Sequence, residues 1–444
     1  MLTKQLMVVA FVTISGASCV FLAAFKRAGD RPSFSLKTAP VVHSCVKHTE
    51  SGCVFLTLAG FETFDTAGMV INTTLIDAAL QRGVAWLLTA QQDDGGWGAG
   101  SHTRQNIKDP SAVPSDPATT ALSAMALIRS HEHPLQSEAG ASIKNALNYL
   151  LESVETSPLQ DANITRLTGT QPQSKLGSNI DVILTSQLLT NILPHIKQNP
   201  QLKKRVEQAL NKCVNKIQRG QDADGSFKDG GWAPVLQSAL ANNALESAKD
   251  AGMDVNESTL ERSREYQKKN YDVKTNSAVT GKAAGVMLYS LSSTARASAK
   301  EAKQAVDKIE KAKKDGKLPE RAAVNEENLV IAGYTKAEAQ KFATAYKVKK
   351  AATARAQNDD VMEGFGSNGG EEFLSYLMTG ESLVMDGGNE WEKWFTKMSG
   401  RLLQIQNNNG SWSGHHCITS PVFCTATCVL ILSVNKDMEF RMQN

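Results

Sequence analysis

One pattern occurs three times in this chain and narrows what it can fold into. An apolar stretch at helical spacing ends in Gln, a polar turn containing Gly and an aromatic residue follows, and an X-Pro step launches an Ala/Leu-rich run. The first copy has Leu75, Ile76, Ala79, Leu80, Val84, Leu87 and Leu88, then QQDDGGWG at 91–98, then Asp116-Pro117 before ATTALSAMALI. The second goes from LNKCVNKIQRGQDADGSF through Gly230-Gly231-Trp232 to Ala233-Pro234 and VLQSALANNALESA. The third is RLLQIQNNNGSWSGHHCITSPVFCTATCVLIL, residues 401–432. Asn and Gly tolerate the positive φ with which helices stop. Pro suits the first helical position, where its missing N–H would be unpaired anyway, so the last helix is expected to begin near Val422, with Ser420 as its cap. A single helical hairpin cannot bury its own apolar face, so repeated hairpins must stack or close on one another.

Two further Gly-Ser-Asn turns, at Gly177-Ser178-Asn179 and Gly366-Ser367-Asn368, each precede an apolar helical run and extend the set without a tryptophan. Aromatics make up only 6% of the chain while Ala, Leu, Gln, Asn and Lys are plentiful, which favours an all-helical fold over a β-sandwich. A net charge of +3 over 444 residues gives no electrostatic reason to propose nucleic acid. The repeats occupy 74–290 and 356–436. Between them, 291–355 is rich in Ala and Lys, with Lys303, Asp307 and Lys311 spaced for i,i+4 pairing. It reads as a protruding charged helical insertion whose basic residues face solvent rather than lipid.

The N-terminus carries a separate signal. Leu6 to Phe25 contains no charged residue and is flanked by Lys4 and by Lys26-Arg27, a length that matches a membrane helix of about 20 residues. Residues 1–27 are therefore expected to be an uncleaved membrane anchor, with a signal peptide as the alternative. Residues 28–73 are a tether, and the globular part is expected outside the cytoplasm. Cys45 and Cys53 enclose a short polar loop beside His43 and His48; a disulfide, free thiols and a metal site all stay open there.

Arg82-Gly83-Val84-Ala85-Trp86-Leu87 followed by Gln92-Asp93-Asp94-Gly95-Gly96-Trp97 resembles the Q-W repeat of the prenyltransferase and squalene cyclase (terpenoid cyclase-like) superfamily. Gln406 to Gly410 with Trp412 repeats its Q-x-x-x-G-x-W core, and Gln221 to Phe227 is a looser version. The resemblance covers most of 75–290 and 360–434. It implies an α/α toroid, a barrel of helical hairpins whose two rings enclose a cavity for an apolar, isoprenoid-like or lipid-like ligand. Within the repeat, Trp97, Trp232 and Trp412 read as packing staples over the turns rather than as substrate contacts.

The chemistry is less clearly marked. Superfamily members that protonate a polyene use a D-x-D-D acid motif, which this chain lacks. The protein prenyltransferases of the superfamily hold zinc with Asp, Cys and His. The residues available here are His415, His416 and Cys417, with Asp116 arriving from another hairpin, and with Cys424 and Cys428 one helical turn apart; a metal would take His416, Cys424 and Cys428. Asp359, Asp360 and Glu363 form a D-D-x-x-E patch that suits magnesium less well, since that motif belongs to a different helical fold. In the first reading, therefore, a membrane-anchored toroid binds an isoprenoid-like or lipid-like ligand and any catalysis centres on His415, His416, Cys417 and Asp116. A non-enzymatic binding or scaffold protein and a metal- or thiol-dependent enzyme are the alternatives.

Overall fold

The computed structural model describes residues 74–227, 231–364, 367–386 and 388–434. The expected anchor at 1–27, the tether, and Cys45 and Cys53 lie outside these. No helix among the described residues is long and apolar enough to cross a membrane.

Among the described residues, twelve principal helices alternate between two environments. The odd-numbered ones are α1 (Thr74–Thr89), α3 (Gly140–Thr156), α5 (Pro200–Arg219), α7 (Glu257–Lys268), α9 (Lys336–Ala356) and α11 (Gly388–Ile405). The even-numbered ones are α2 (Pro117–Arg129), α4 (Ile180–Ile192), α6 (Pro234–Asp250), α8 (Met287–Lys314), α10 (Gly370–Val384) and α12 (Pro421–Leu432). Every residue of α2, α4, α10 and α12 is buried. A helix that is buried on all sides needs neighbours all round, and the packing supplies them. α2 packs on α4, α4 on α6, α6 on α8, α8 on α10, α10 on α12, and α12 returns to α2. The six even helices thus form a closed inner ring.

The odd helices bury one face only. In α5 that face is Val206, Ala209, Leu210, Cys213, Val214 and Ile217, the three-and-four spacing of an amphipathic helix. Each odd helix packs mainly on the inner helix before it, with α1 covering α12. This double ring is the arrangement expected of an α/α toroid.

The three tryptophan-type turns are built alike. Gln91, Gln221 and Gln406 each donate from Nε2 to the carbonyl of the Gly four residues on, at 2.8, 3.3 and 2.8 Å. The same amides also reach the next outer helix, at Ser142 O (2.9 Å), Thr259 O (2.8 Å) and Ala79 O (2.9 Å). Gly410 sits at φ 92°, and a Cβ there would lie 2.7 Å from the Arg82 carbonyl, so only Gly lets the turn dock this closely. The indole N–H groups of Trp97 and Trp412 donate to Leu87 O and Leu402 O at 2.9 and 2.8 Å. Their backbone N–H groups donate to Thr120 and Thr425 on the following inner helix.

Two sequence assignments shift in detail. Gln91, not Gln92, makes the tie in the first turn; Gln92 Nε2 holds the long loop at Val113 O instead (2.8 Å). In the second turn the staple is Phe227, which is 2% exposed and whose N–H donates to Ser238 Oγ at 3.1 Å. Trp232 is 55% exposed, with the Lys175 ammonium 4.2 Å from its ring.

The stretch read as an insertion, 291–355, is only in part an arm. Leu288 to Ala299 of α8 are buried in the inner ring and α9 covers α8 from outside, because Ala and Ser fill that layer without bulky apolar side chains. The distal half of α8, the short helix Glu326–Ile331 and the start of α9 then project with a small core of their own, including Ala305, Ile309, Leu318 and Leu329. A two-stranded hairpin, β1 (Tyr271–Asp272) with β2 (Ser277–Ala278), precedes α8.

Replacing Gln406 by Ala removes the turn bond and the part-buried bond to Ala79 O on α1, along with an exposed one that its Oε1 accepts from Arg82. It is expected to lower stability by about 1–3 kcal/mol, two ordinary hydrogen bonds, with the helix content unchanged. Urea unfolding followed by circular dichroism measures this, and an unshifted midpoint would mean that the tie is not needed to close the ring.

Candidate functional site

The inner helices all begin at the same end of the ring as the turns, and the His–Cys loop lies across that mouth. It is a clasp between hairpins. The His415 N–H donates to Asn368 O (2.7 Å), the Gly370 N–H to Ile418 O (2.9 Å), and the Ile418 N–H to Glu371 Oε2 (3.2 Å). On its other side, Gln171 Oε1 accepts from the N–H groups of Thr419 (2.7 Å) and Ser420 (3.2 Å), while its Nε2 donates to Ala99 O (2.8 Å). Gln105 Nε2 donates to Cys417 O and Lys108 Nζ to Thr419 O, at 2.6 and 2.8 Å. Cys417 takes φ 57° to make the bend.

His415 is exposed. His416 has 22% of its side chain exposed, with Nε2 2.8 Å from Ser367 O and 3.5 Å from Glu372 Oε2. The Cys417 thiol is half-buried, and burial together with the nearby Glu371 carboxyl pushes its pKa up to about 12. It is held as a thiol, not as the thiolate a nucleophile or ligand requires. Asp116 does not join this loop. Its carboxylate caps α2, accepting from Thr119 N (2.8 Å), Thr119 Oγ1 (3.0 Å) and Ala99 N (2.8 Å).

The suggested zinc ligands are not brought together. Among the described residues no three His, Cys, Asp or Glu side chains converge on a metal position. Cys424 donates from Sγ to Ile418 O at 3.6 Å, Cys428 is fully buried in the apolar core, and burial pushes both thiols up. These cysteines serve as small core residues of α12. The D-D-x-x-E acids do not converge either, for Asp359 pairs with Lys397 and Asp360 with Arg355.

The site that the sequence reading missed is a buried acid pair at the start of α10. Glu372 Oε2 accepts from Gly369 N (2.8 Å) as a cap, and its Oε1 accepts from the Tyr289 hydroxyl. Glu371 is 1% exposed; burial, and next the neighbouring Glu372, push its pKa up to about 8. A carboxyl in that state keeps its proton at neutral pH. The available signal was GGEEFL, two adjacent acids opening an otherwise apolar run; Glu372 has a capping explanation, Glu371 has none.

Deeper in, the ring axis holds a second charged group. Glu381 bridges Arg129 Nη2 at 2.9 Å and Arg296 Nε at 3.0 Å, and both arginines are essentially unexposed. Leu122, Leu184, Leu240 and Leu377 close in around it, leaving a cavity of about 20 Å³.

Residues 58–171 match the family model of the squalene-hopene cyclase C-terminal domain, a stretch that includes the first Gln–Gly–Trp turn and α2. That stretch is similar to the squalene-hopene cyclase C-terminal domain, as its turn suggested. No curated protein matches it. Among solved structures, the ligand-free type II terpene cyclase MstE from Scytonema is similar over 82% of this chain and 100% of its own, at 13% identity and a TM-score of 0.42. A variant of that cyclase in complex with merosterolic acid A, its product, is similar over 82% and 98%, at 12% identity and a TM-score of 0.33. Scores this low say nothing of chemistry.

Because the Glu371 pKa is raised on folding, the folded state binds more protons than the unfolded state between the ordinary carboxyl range and about 8. Stability is full below that range and falls as pH rises through it. Asp116, pushed up to about 7 by burial and by Asp181, adds to the same slope. Glu371→Gln is expected to flatten the decline from pH 5 to 8 and to make the variant the more stable form at pH 8. Urea midpoints across that range test it; an unchanged slope would mean that Glu371 is ionised when folded.

Proposed function

We propose that this protein is a squalene cyclase-like toroid that works by binding, as a carrier or scaffold, and does not cyclise a polyene inside its ring. The observation that carries this reading is the filled axis. Pockets that hold organic ligands run to about 300–1,000 Å³, and the axial cavity is about 20 Å³. Among the described residues, the axial cavity around Glu381 therefore has no room for an apolar isoprenoid-like or lipid-like ligand in this arrangement. Opening it means separating Glu381 from Arg129 and Arg296, and a buried charge stripped of its partner costs several kcal/mol. An isoprenoid-like or lipid-like ligand remains part of the proposal, held elsewhere on the protein.

A second reading, an enzyme using acid chemistry at the mouth, is favoured by Glu371, a buried carboxyl that holds its proton at neutral pH. The chain's lack of a D-x-D-D motif and the depth of Glu371 weigh against it. Membrane attachment through residues 1–27, with the globular part outside the cytoplasm, completes the proposal and rests on the uncharged Leu6–Phe25 run.

The test is turnover. Purified protein incubated with squalene and with shorter polyprenyl diphosphates is expected to return them unchanged by mass spectrometry. A cyclic product that disappears in Glu371→Gln would sink the binding reading and establish the enzyme one.

A further inference from the structure

The ring axis has little room, but the projecting arm carries a groove of about 460 Å³, within the usual size of a small-ligand site. One wall is α9, where Ala343, Tyr346, Ala351 and Ala354 recur every three to five residues and share a face. That face runs for about 16 Å at 1.5 Å per residue. Val324, just before the helix Glu326–Ile331, and Val273, in the turn between β1 and β2, line it as well.

The groove also carries charge. Lys303, Lys313, Lys341 and Lys349 each face a carboxylate, on Asp307, Glu310, Glu261 and Asp386. Lys347 and Lys350 line the groove, are exposed, and stand in no ion pair among the described residues; Lys350 Nζ lies 5.8 Å from the Tyr346 ring. Two unneutralised ammonium groups beside an apolar trough match a ligand with an anionic head and an apolar tail. Glu326, in the same lining, disfavours an anion near its own carboxylate and so sets the direction: head toward Lys347 and Lys350, tail along the Ala343 and Val324 walls.

We propose that this groove binds an anionic amphiphile, its carboxylate or phosphate at Lys347 and Lys350 and its chain laid along α9. This rests on the binding reading of the protein and gives that reading a ligand class and a place outside the ring. A fatty acid and an isoprenyl phosphate share the required chemistry, and the experiment separates them.

Full-length protein is titrated by calorimetry with dodecanoate, farnesyl diphosphate, dodecanol and inorganic diphosphate, each below its aggregation concentration. At least one of the first two is expected to bind saturably at one per chain, and whichever binds tighter identifies the source. Dodecanol, lacking the head, and inorganic diphosphate, lacking the tail, are expected to bind at least tenfold more weakly. The double variant Lys347→Gln/Lys350→Gln is expected to weaken the anionic probe at least tenfold while leaving dodecanol unchanged. Ala343→Trp, on the half-exposed wall, is expected to block both. Absence of saturable binding by either anionic probe overturns the proposal, as does binding that ignores the lysine pair in a variant with an unaltered melting curve. Turnover of a polyprenyl substrate would overturn the closed-ring reading without altering these titrations, so the two failures are distinguishable.

Discussion

A single primary amide at each of three turns decides how the hairpins are joined. Gln91, Gln221 and Gln406 spend one N–H on their own turn and the other on the next outer helix, so the device that ends one hairpin also fixes its neighbour. Without it, each hairpin would have an apolar inner helix and only a lateral hydrophobic contact to orient it, and hydrophobic contact is not directional. The amide supplies the angle. The glycine and the aromatic beside it serve the same end: the first permits close approach, and the second plugs the space beneath the turn, with Trp97 and Trp412 also satisfying a carbonyl at the end of the outer helix.

The closed ring creates a polar problem of its own. Inner helices buried on every side still carry Arg129, Arg296, Glu381, Glu371 and Asp116, groups that resist leaving water. The chain meets this in two ways. Toward the axis it shares one carboxylate between two guanidinium groups. At the mouth it sets carboxyls in pairs, where Glu371 and Asp116 are pushed toward neutral forms. Such groups add little net stability beside apolar residues of the same volume, while breaking a pair is costly. Their effect is to hold one arrangement of the ring.

The fold was legible because its signals are local. Helix spacing, Pro at the first turn and Gln–Gly–aromatic turns are each written within ten or so residues, and they gave the hairpins; the toroid was what the resemblance to the Q-W repeat implied. Fully buried helices were also visible, as runs without a polar face. The region around Ala295 was harder, since Ala and Ser pack an inner helix without raising its apolar content, and it read as solvated arm although its first half is ring. The His–Cys loop misled for a related reason. Its departure from the repeat marks the clasp that ties Gln171, Asn368 and Glu371, and no local pattern announces partners nearly 250 positions away. Glu371 escaped notice because its significance lies in burial, which sequence records only indirectly.

Gln406 and Ala79 stand 327 positions apart in the chain, and their bond is what brings the sixth hairpin back to the first. Contacts between distant parts of a chain form late, because the intervening loop must be closed first. During synthesis α1 must therefore wait with the face meant for α12 uncovered until α12 itself has been made. The ring is an all-or-none object in a way that an open stack of the same hairpins is not: an open stack gains stability with each added unit, while this one reaches its final arrangement only when the last unit arrives. A chain cut short before α11 would present unpaired apolar faces at both ends, a substrate for chaperones and proteases rather than a smaller working toroid.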